Sequence, residues 1–406
     1  VYLNSRQKPK TANWRLRNWL MLAVIYAITG LLWLRRDYPL AFIDPAPTPA
    51  TAAAEIKEEP VENDAALDHM ARGDLYFDQG NLTAAKEAYE EAVAANPELA
   101  TAYARWGQIL ALRRKTDEAL IRTTRAVELA PNDPEVLSAH ARALKETGDT
   151  AGAIRYAQDA LAIDPNYGAA HAALAEAYFA QQKFDEALAA AEQGVQADPD
   201  SVWAWYSLGV VREGLGRYAD AVQAYQEGIA AVPLSYLYVR NGMNERALGN
   251  TDAALAAFRE ATVVDPRGPQ AYGQLGFTYL NLEDYTNATD YLDQGIEQDP
   301  TYGYNYSLKG LILYRQRNFE GAIEQLEKAV SFGYSEAEVF YELGLAHAYL
   351  EQCEQAIPWL ERALAVEPDS PPALEGMRIC GATPTESAEA VPEAAPETTP
   401  EPAPAP

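Results

Sequence analysis

The sequence predicts an all-α protein, a solenoid of helix-turn-helix repeats, and three columns of residues predict it. Alanine recurs at Ala85, Ala119, Ala153, Ala187, Ala221, Ala254, Ala288, Ala322 and Ala356, every 34 residues with one step of 33. Proline keeps the same interval at Pro97, Pro131, Pro165, Pro199, Pro233, Pro266, Pro300 and Pro368, with Tyr334 in the one empty place. Twelve residues before each alanine stands a small residue: Gly73, Gly107, Ala141, Ala175, Gly209, Gly242, Gly276, Gly310 and Gly344. The 33-residue step falls between the fifth and sixth members of every column, so the three shift as one register. A chain that repeats in this way needs no central core, and its 406 residues do not imply several globular domains.

Composition narrows the partners. The net charge is −27, and residues 1–36 carry seven Lys/Arg and no acid, which leaves −34 on the rest. An acidic body of that size excludes nucleic acid as the expected partner, because phosphate binding needs clustered cations. Two cysteines are too few for a disulfide scaffold and have no C-x-x-C spacing. The chain begins on Val1, the mark of a fragment or of a non-AUG start.

In chain order, residues 1–18 form a basic segment with Arg6, Lys8, Lys10, Arg15 and Arg17. Residues 19–34 (WLMLAVIYAITGLLWL) carry no charge and are predicted as a transmembrane helix. Their rise of about 24 Å is slightly short of the roughly 30 Å hydrocarbon core, a gap that snorkelling arginines and interfacial Trp14, Trp19 and Trp33 can close. The run ends in Trp-Leu-Arg-Arg rather than in small residues, which argues against a cleaved signal. Five cations before the span and two after it predict the N-terminus in the cytoplasm and the body outside; the expected setting is a bacterial cytoplasmic membrane, crossed once. Residues 35–65 read as a flexible Pro/Ala/Glu linker, whose stretch 39–65 alone could reach ~80 Å, residues 66–370 as nine repeats, and 371–380 as a capping helix. Residues 381–406, rich in Pro and Glu and free of Lys and Arg, are predicted to be a disordered tail.

Repeat five shows why this spacing makes a helix pair. Trp205, Leu208, Gly209 and Arg212 share one face of a first helix. Gly214, Gly216 and Asp220 punctuate a turn, with Asp220 the expected N-cap. Ala221, Tyr225 and Gly228 then line a second helix that Pro233 stops. Gly209 and Ala221 are small because two helices cross there, while Trp205, Leu208 and Tyr225 fill the wedge on either side. A lone pair cannot bury both faces, so each pair needs neighbours.

This pattern resembles the tetratricopeptide repeat, with its W-L-G-Y-A-F-A-P signature. Repeat one supplies Gly73, Tyr76, Ala85, Tyr89, Ala92 and Pro97, and repeat seven Tyr272, Leu275, Gly276, Tyr279, Ala288, Gly295 and Pro300. The resemblance implies a right-handed superhelix whose first helices line a concave face. In repeats two to four the concave columns are plain, for example Thr101, Ala104, Glu135, Ser138, Ala169 and Ala172. From repeat five they turn aromatic, with an occasional cation. Trp203, Tyr206, Tyr236, Arg246, Phe277, Tyr304, Tyr314, Arg315 and Tyr341 are the expected protein-binding residues, since interfaces enrich rigid amphipathic rings and arginine. The alternative is that tight coiling buries these rings between successive first helices. Met70 and Asp74 stand where some members clamp a C-terminal carboxylate with Lys and Asn, so a chaperone-tail adaptor of that kind is not expected.

Cys353 opens the second helix of repeat nine and Cys380 ends the capping helix. Antiparallel neighbours bring those ends together, so a disulfide is one reading and two buried free thiols the plainer other. His69, His140, His171 and His347 fall in columns that pack between helices, which makes them core residues rather than ligands or bases. No H-E-x-x-H, G-x-S-x-G, G-x-x-x-x-G-K-[ST] or G-x-G-x-x-G occurs. No catalytic residue, metal site or cofactor is therefore predicted. The expected function is a membrane-tethered scaffold that binds a peptide or protein segment in the concave groove, self-association being open. The alternatives are an envelope assembly or chaperone factor for secreted proteins, and a glycan-facing subunit of a polysaccharide or cell-wall system.

Overall fold

The computed structural model describes residues 61–383. Nineteen helices and no strand occur among the described residues. They pair in sequence: α1 (Val61–Asp78) with α2 (Leu82–Ala95), α3 (Ala100–Leu112) with α4 (Thr116–Leu129), α5 (Pro134–Glu146) with α6 (Thr150–Ile163), α7 (Gly168–Ala180) with α8 (Phe184–Ala197) and α9 (Val202–Gly214) with α10 (Tyr218–Ala231). Then come α11 (Ser235–Ala247) with α12 (Thr251–Val264), α13 (Pro269–Asn281) with α14 (Tyr285–Gln298), α15 (Gly303–Arg315) with α16 (Phe319–Ser331) and α17 (Ala337–Tyr349) with α18 (Cys353–Val366). Helix α19 (Pro371–Ile379) packs on the last pair. Together they form an all-helical solenoid.

Local chemistry sets the helix ends. Asn81, Asp149, Asp284 and Asn318 each accept a hydrogen bond from the backbone N–H three residues on, satisfying a donor that the first turn leaves unpaired. Asp220 does not cap α10: Arg217 holds that place, and Asp220 lies in the first turn, where its charge suits the helix dipole. Helix α16, which lacks the terminal proline, stops at Ser331 because Gly333 turns the chain at φ +82°. Helix α1 begins at Val61, five residues ahead of the expected start of the repeats.

The alanine column is the spine of the core, and all nine of its members are fully buried. A Cβ on Gly107, Gly310 or Gly344 would lie 3.3–3.4 Å from the carbonyl oxygen of Ala119, Ala322 or Ala356, which puts these members at the helix crossing. The small residue facing it receives a side chain from the second helix: a Cβ on Gly242 would come within 2.6 Å of the Phe258 ring, and one on Gly276 within 2.6 Å of Leu292. Where the first helix carries Ala141 or Ala175 instead, the corresponding second-helix residues are Ala157 and Ala191, both fully buried. The substitution is thus matched across the crossing.

The coil is not uniform. First helices pack closely upon one another from α3 to α9 and hardly touch from α11 to α17. Small concave residues, Ala104, Ser138 and Ala172, are buried at the tight end. The tight part turns far enough to bring the first pair against the fifth and sixth. The amide of Ser235 donates to the Gly80 carbonyl at 3.4 Å, and Phe77 lies 5.8 Å from Trp203, centroid to centroid. Asp265, 2% exposed, accepts from the Thr83 hydroxyl at 3.0 Å and pairs with Arg113 at 3.3 Å, while Arg267 grips Glu87 with two hydrogen bonds. The 33-residue step acquires a meaning here. The α10–α11 connector, Val232 to Leu234, is one residue shorter than most of the other connectors between pairs, and the α1–α2 turn docks on it.

One expectation needs correction. The span predicted at 19–34 lies outside the described residues, as does the linker as far as residue 60; residues 61–65, expected as linker, open α1 instead. Among the described residues no helix is long and apolar enough to cross a membrane. Helix α1, at 18 residues the longest, carries six charged side chains, and the others have 14 residues or fewer. Placement in a cytoplasmic membrane as a single-pass protein is therefore not supported. The tail beyond 383 is likewise outside the described residues.

Candidate functional site

The nine side chains expected to form one groove separate into three groups. Trp203 and Tyr206, on α9, are 8% and 6% exposed and fill the inside of the tight coil. Arg142 lies over the Trp203 ring, 4.1 Å from its centroid, and pairs at 3.2 Å with Glu176, which also meets Lys145 at 3.1 Å. Burial pushes the Glu176 carboxyl up, but Arg142 and Lys145 outweigh it and hold it below the usual range. These two rings serve internal packing.

Tyr236, Arg246 and Tyr314 are half-buried and engaged with neighbours. Tyr236 stands 5.7 Å from the Tyr206 ring. Arg246 donates to Gln274 at 2.8 Å and Thr278 at 3.1 Å and covers Phe277, 4.7 Å from the ring centre. Tyr314 turns toward Phe319 and Tyr349, at 5.6 and 6.2 Å.

Phe277, Tyr304, Arg315 and Tyr341 converge. They line a cleft of about 450 Å³ on the first helices α13, α15 and α17, the stretch in which those helices stand apart. Tyr334, Leu308, Leu311, Glu336, Glu338 and Glu342 complete its wall. Tyr304 and Tyr334 are 5.7 Å apart, and Tyr302 supports Tyr304 from 6.2 Å. The cleft exists because bulky rings occupy concave places that hold small residues in the tight coil, so α15 cannot close upon α17.

Its electrostatics are negative. Burial, then Glu342 and Glu338, push the Tyr341 phenol up to about 12, with Arg315 pulling the other way. Burial, then Tyr304, Glu336 and Glu338, raise Tyr334 as well. Sequence reasoning missed Tyr334 and the three glutamates. The interruption of the proline column at 334 was the available signal for the first; the glutamates are hidden in an acidic composition.

Cys353 and Cys380 are joined as a disulfide, Cα atoms 5.3 Å apart, tying α18 to the end of α19. Of the histidines, His140 and His347 are buried and His69 and His171 half-buried. His140 meets the Thr123 hydroxyl at 3.0 Å and the edge of Tyr156, and burial, then Arg155, lower it to about 4. Among the described residues no cluster of His, Cys, Asp or Glu could hold a metal ion.

Paired helices in series, small residues at each crossing and a concave cleft define a helical-repeat protein. Two sequence profiles of the tetratricopeptide repeat match the chain, one over residues 70–134, 173–236, 239–303 and 307–374 and the other over 144–201. The chain belongs to the tetratricopeptide repeat family. TPR repeat-containing protein YpiA of Bacillus subtilis (strain 168) is 22% identical over 287 residues, 66% of this chain and 67% of that protein. Small glutamine-rich tetratricopeptide repeat-containing protein 2 of Mycosarcoma maydis is 38% identical over 77 residues, 19% of this chain and 22% of its own length. The chain thus matches about a fifth of the length of that relative. A crystal structure of the APC/C hetero-tetramer Cut9-Hcn1 superposes with a TM-score of 0.53 at 18% identity, covering 78% of this chain and 76% of that one. That likeness concerns the fold alone.

Proposed function

We propose that the protein is an interaction scaffold that holds an extended segment of a partner protein in the cleft of α13, α15 and α17. The cleft itself carries this reading: about 450 Å³ of concave space walled by Phe277, Tyr304, Tyr334 and Tyr341 and edged by charged groups. Rings contribute apolar contact at small entropic cost, and their phenols can hydrogen-bond the backbone of a bound strand. Each wall belongs to a packed helix pair, so the cleft is formed before the partner arrives and little ordering opposes binding. Family membership supports the same reading.

The test is direct. A random peptide library displayed on phage is panned on the full chain, and selected peptides are measured by calorimetry. Tyr304→Ala with Tyr341→Ala should weaken them by about 30-fold or more, the loss of roughly 2 kcal/mol from one hot spot. Circular dichroism of the double variant should be unchanged. Peptides that bind the double variant as tightly as the unaltered chain would remove the cleft from the function.

A further inference from the structure

Three carboxyl groups are buried among the described residues. Asp265 has Thr83 and Arg113, and Glu176 has Arg142 and Lys145. Glu342, 6% exposed, makes no hydrogen bond or ion pair with any described residue, yet it lines the cleft. Burying a carboxyl without a partner is costly, and proteins keep such groups where something else completes them. Glu336 and Glu338 add two further acids to the same wall, against the single cation Arg315. Tyrosine faces stand beside them. Carboxylates flanked by aromatic faces are complementary to a cation, which gains both a counter-ion and the ring quadrupoles.

We propose that the cleft takes a lysine or arginine side chain of the bound segment, with Glu342 as its counter-ion and Tyr304 and Tyr341 as its aromatic walls. This rests on the cleft being a peptide groove. The charged groups acting on Glu342 are Glu338 on its own helix and Arg315 from α15, and the phenols of Tyr314 and Tyr341 adjoin it. Burial, then Glu338, push its carboxyl up to about 8, with Arg315 opposing. An arriving cation favours the ionised form, so binding near neutral pH releases a proton from Glu342.

The peptides selected above provide the experiment. They should share a basic residue at one position, and replacing it with glutamine should weaken binding to the unaltered chain by about tenfold or more. Glu342→Gln should weaken the basic peptide equally, leave the glutamine peptide unaffected, and abolish the proton release seen by calorimetry at pH 7 in buffers of different ionisation enthalpy. Selected peptides without a basic position, or a basic peptide that binds Glu342→Gln as tightly, would overturn the proposal while leaving the groove intact. A library that yields no binder, or binders indifferent to Tyr304→Ala with Tyr341→Ala, would overturn the groove and the proposal together.

Discussion

At the scale of single residues, Glu342 also leaves a mark on stability. Its raised value means that the folded chain keeps a proton that the unfolded chain gives up above about pH 4.5. The associated stability is complete below that pH and is lost as the pH rises through about 8. His140 acts in the opposite sense: its lowered value costs stability as the pH falls from 6.5 through about 4. Above pH 6.5 the His140 effect has run out, whereas the Glu342 effect persists to about pH 8. Urea unfolding should show a loss of about 1–2 kcal/mol across that interval, and Glu342→Gln should flatten it. A variant with the same slope as the unaltered chain would show that the carboxyl is not the source. None of this could be read from residue type, because a glutamate in an acidic chain is by default a solvated one. Only its burial in the wall of the cleft distinguishes Glu342 from its many neighbours in composition.

At the scale of elements, the repeat register was legible because it is written in small residues that sterics forbid to change. The crossing of α11 and α12 makes this quantitative. A methyl on Gly242 would lie 2.6 Å from the buried Phe258 ring, so one of the two must move. Gly242→Ala should cost about 1–3 kcal/mol by overpacking, read as a lower midpoint in thermal unfolding of the full chain. An unchanged midpoint would mean that the crossing is looser than its geometry. The Ala141/Ala157 and Ala175/Ala191 pairs display the accommodation that the sequence itself has made. Helix ends were legible less well. Aspartate suits an N-cap, as a short side-chain acceptor, and also a first turn, as a negative charge, and the distinction depends on where the backbone turns.

At the scale of the whole molecule, the pitch of the coil decided which aromatic residues line the cleft, and pitch is a sum of small rotations that no single repeat reveals. Trp203 and Tyr304 occupy equivalent columns, and both are amphipathic aromatic rings. One is packed against Phe77 from the far side of a turn and the other opens to the cleft. The docking of the first pair on the fifth and sixth is the feature the repeat pattern hid, apart from the missing residue in the α10–α11 connector. Gly80 isolates its contribution. It adopts φ +78°, and a Cβ there would run into the Pro233 carbonyl oxygen, whereas Gly148, at φ +87°, has open space around it. Alanine at either position strains the turn by about 1–2 kcal/mol, but Gly80→Ala should cost about 2 kcal/mol more than Gly148→Ala, together with a larger radius in solution scattering. Equal costs for the two variants would mean that the docking adds nothing.

That docking also changes how the array comes apart. A linear solenoid obeys nearest-neighbour energetics, and its terminal units fray first because each has only one neighbour to lose. Here Asp265 reaches 182 residues back to Thr83, so the first pair cannot leave without breaking contacts to the sixth. The first pair is therefore held like an interior one, and the first six pairs should melt as a single cooperative block. Fraying is left to the other end, where the Cys353–Cys380 bond ties the last helix to the one before it. The cleft of α13, α15 and α17 thus lies outside the block that this docking closes.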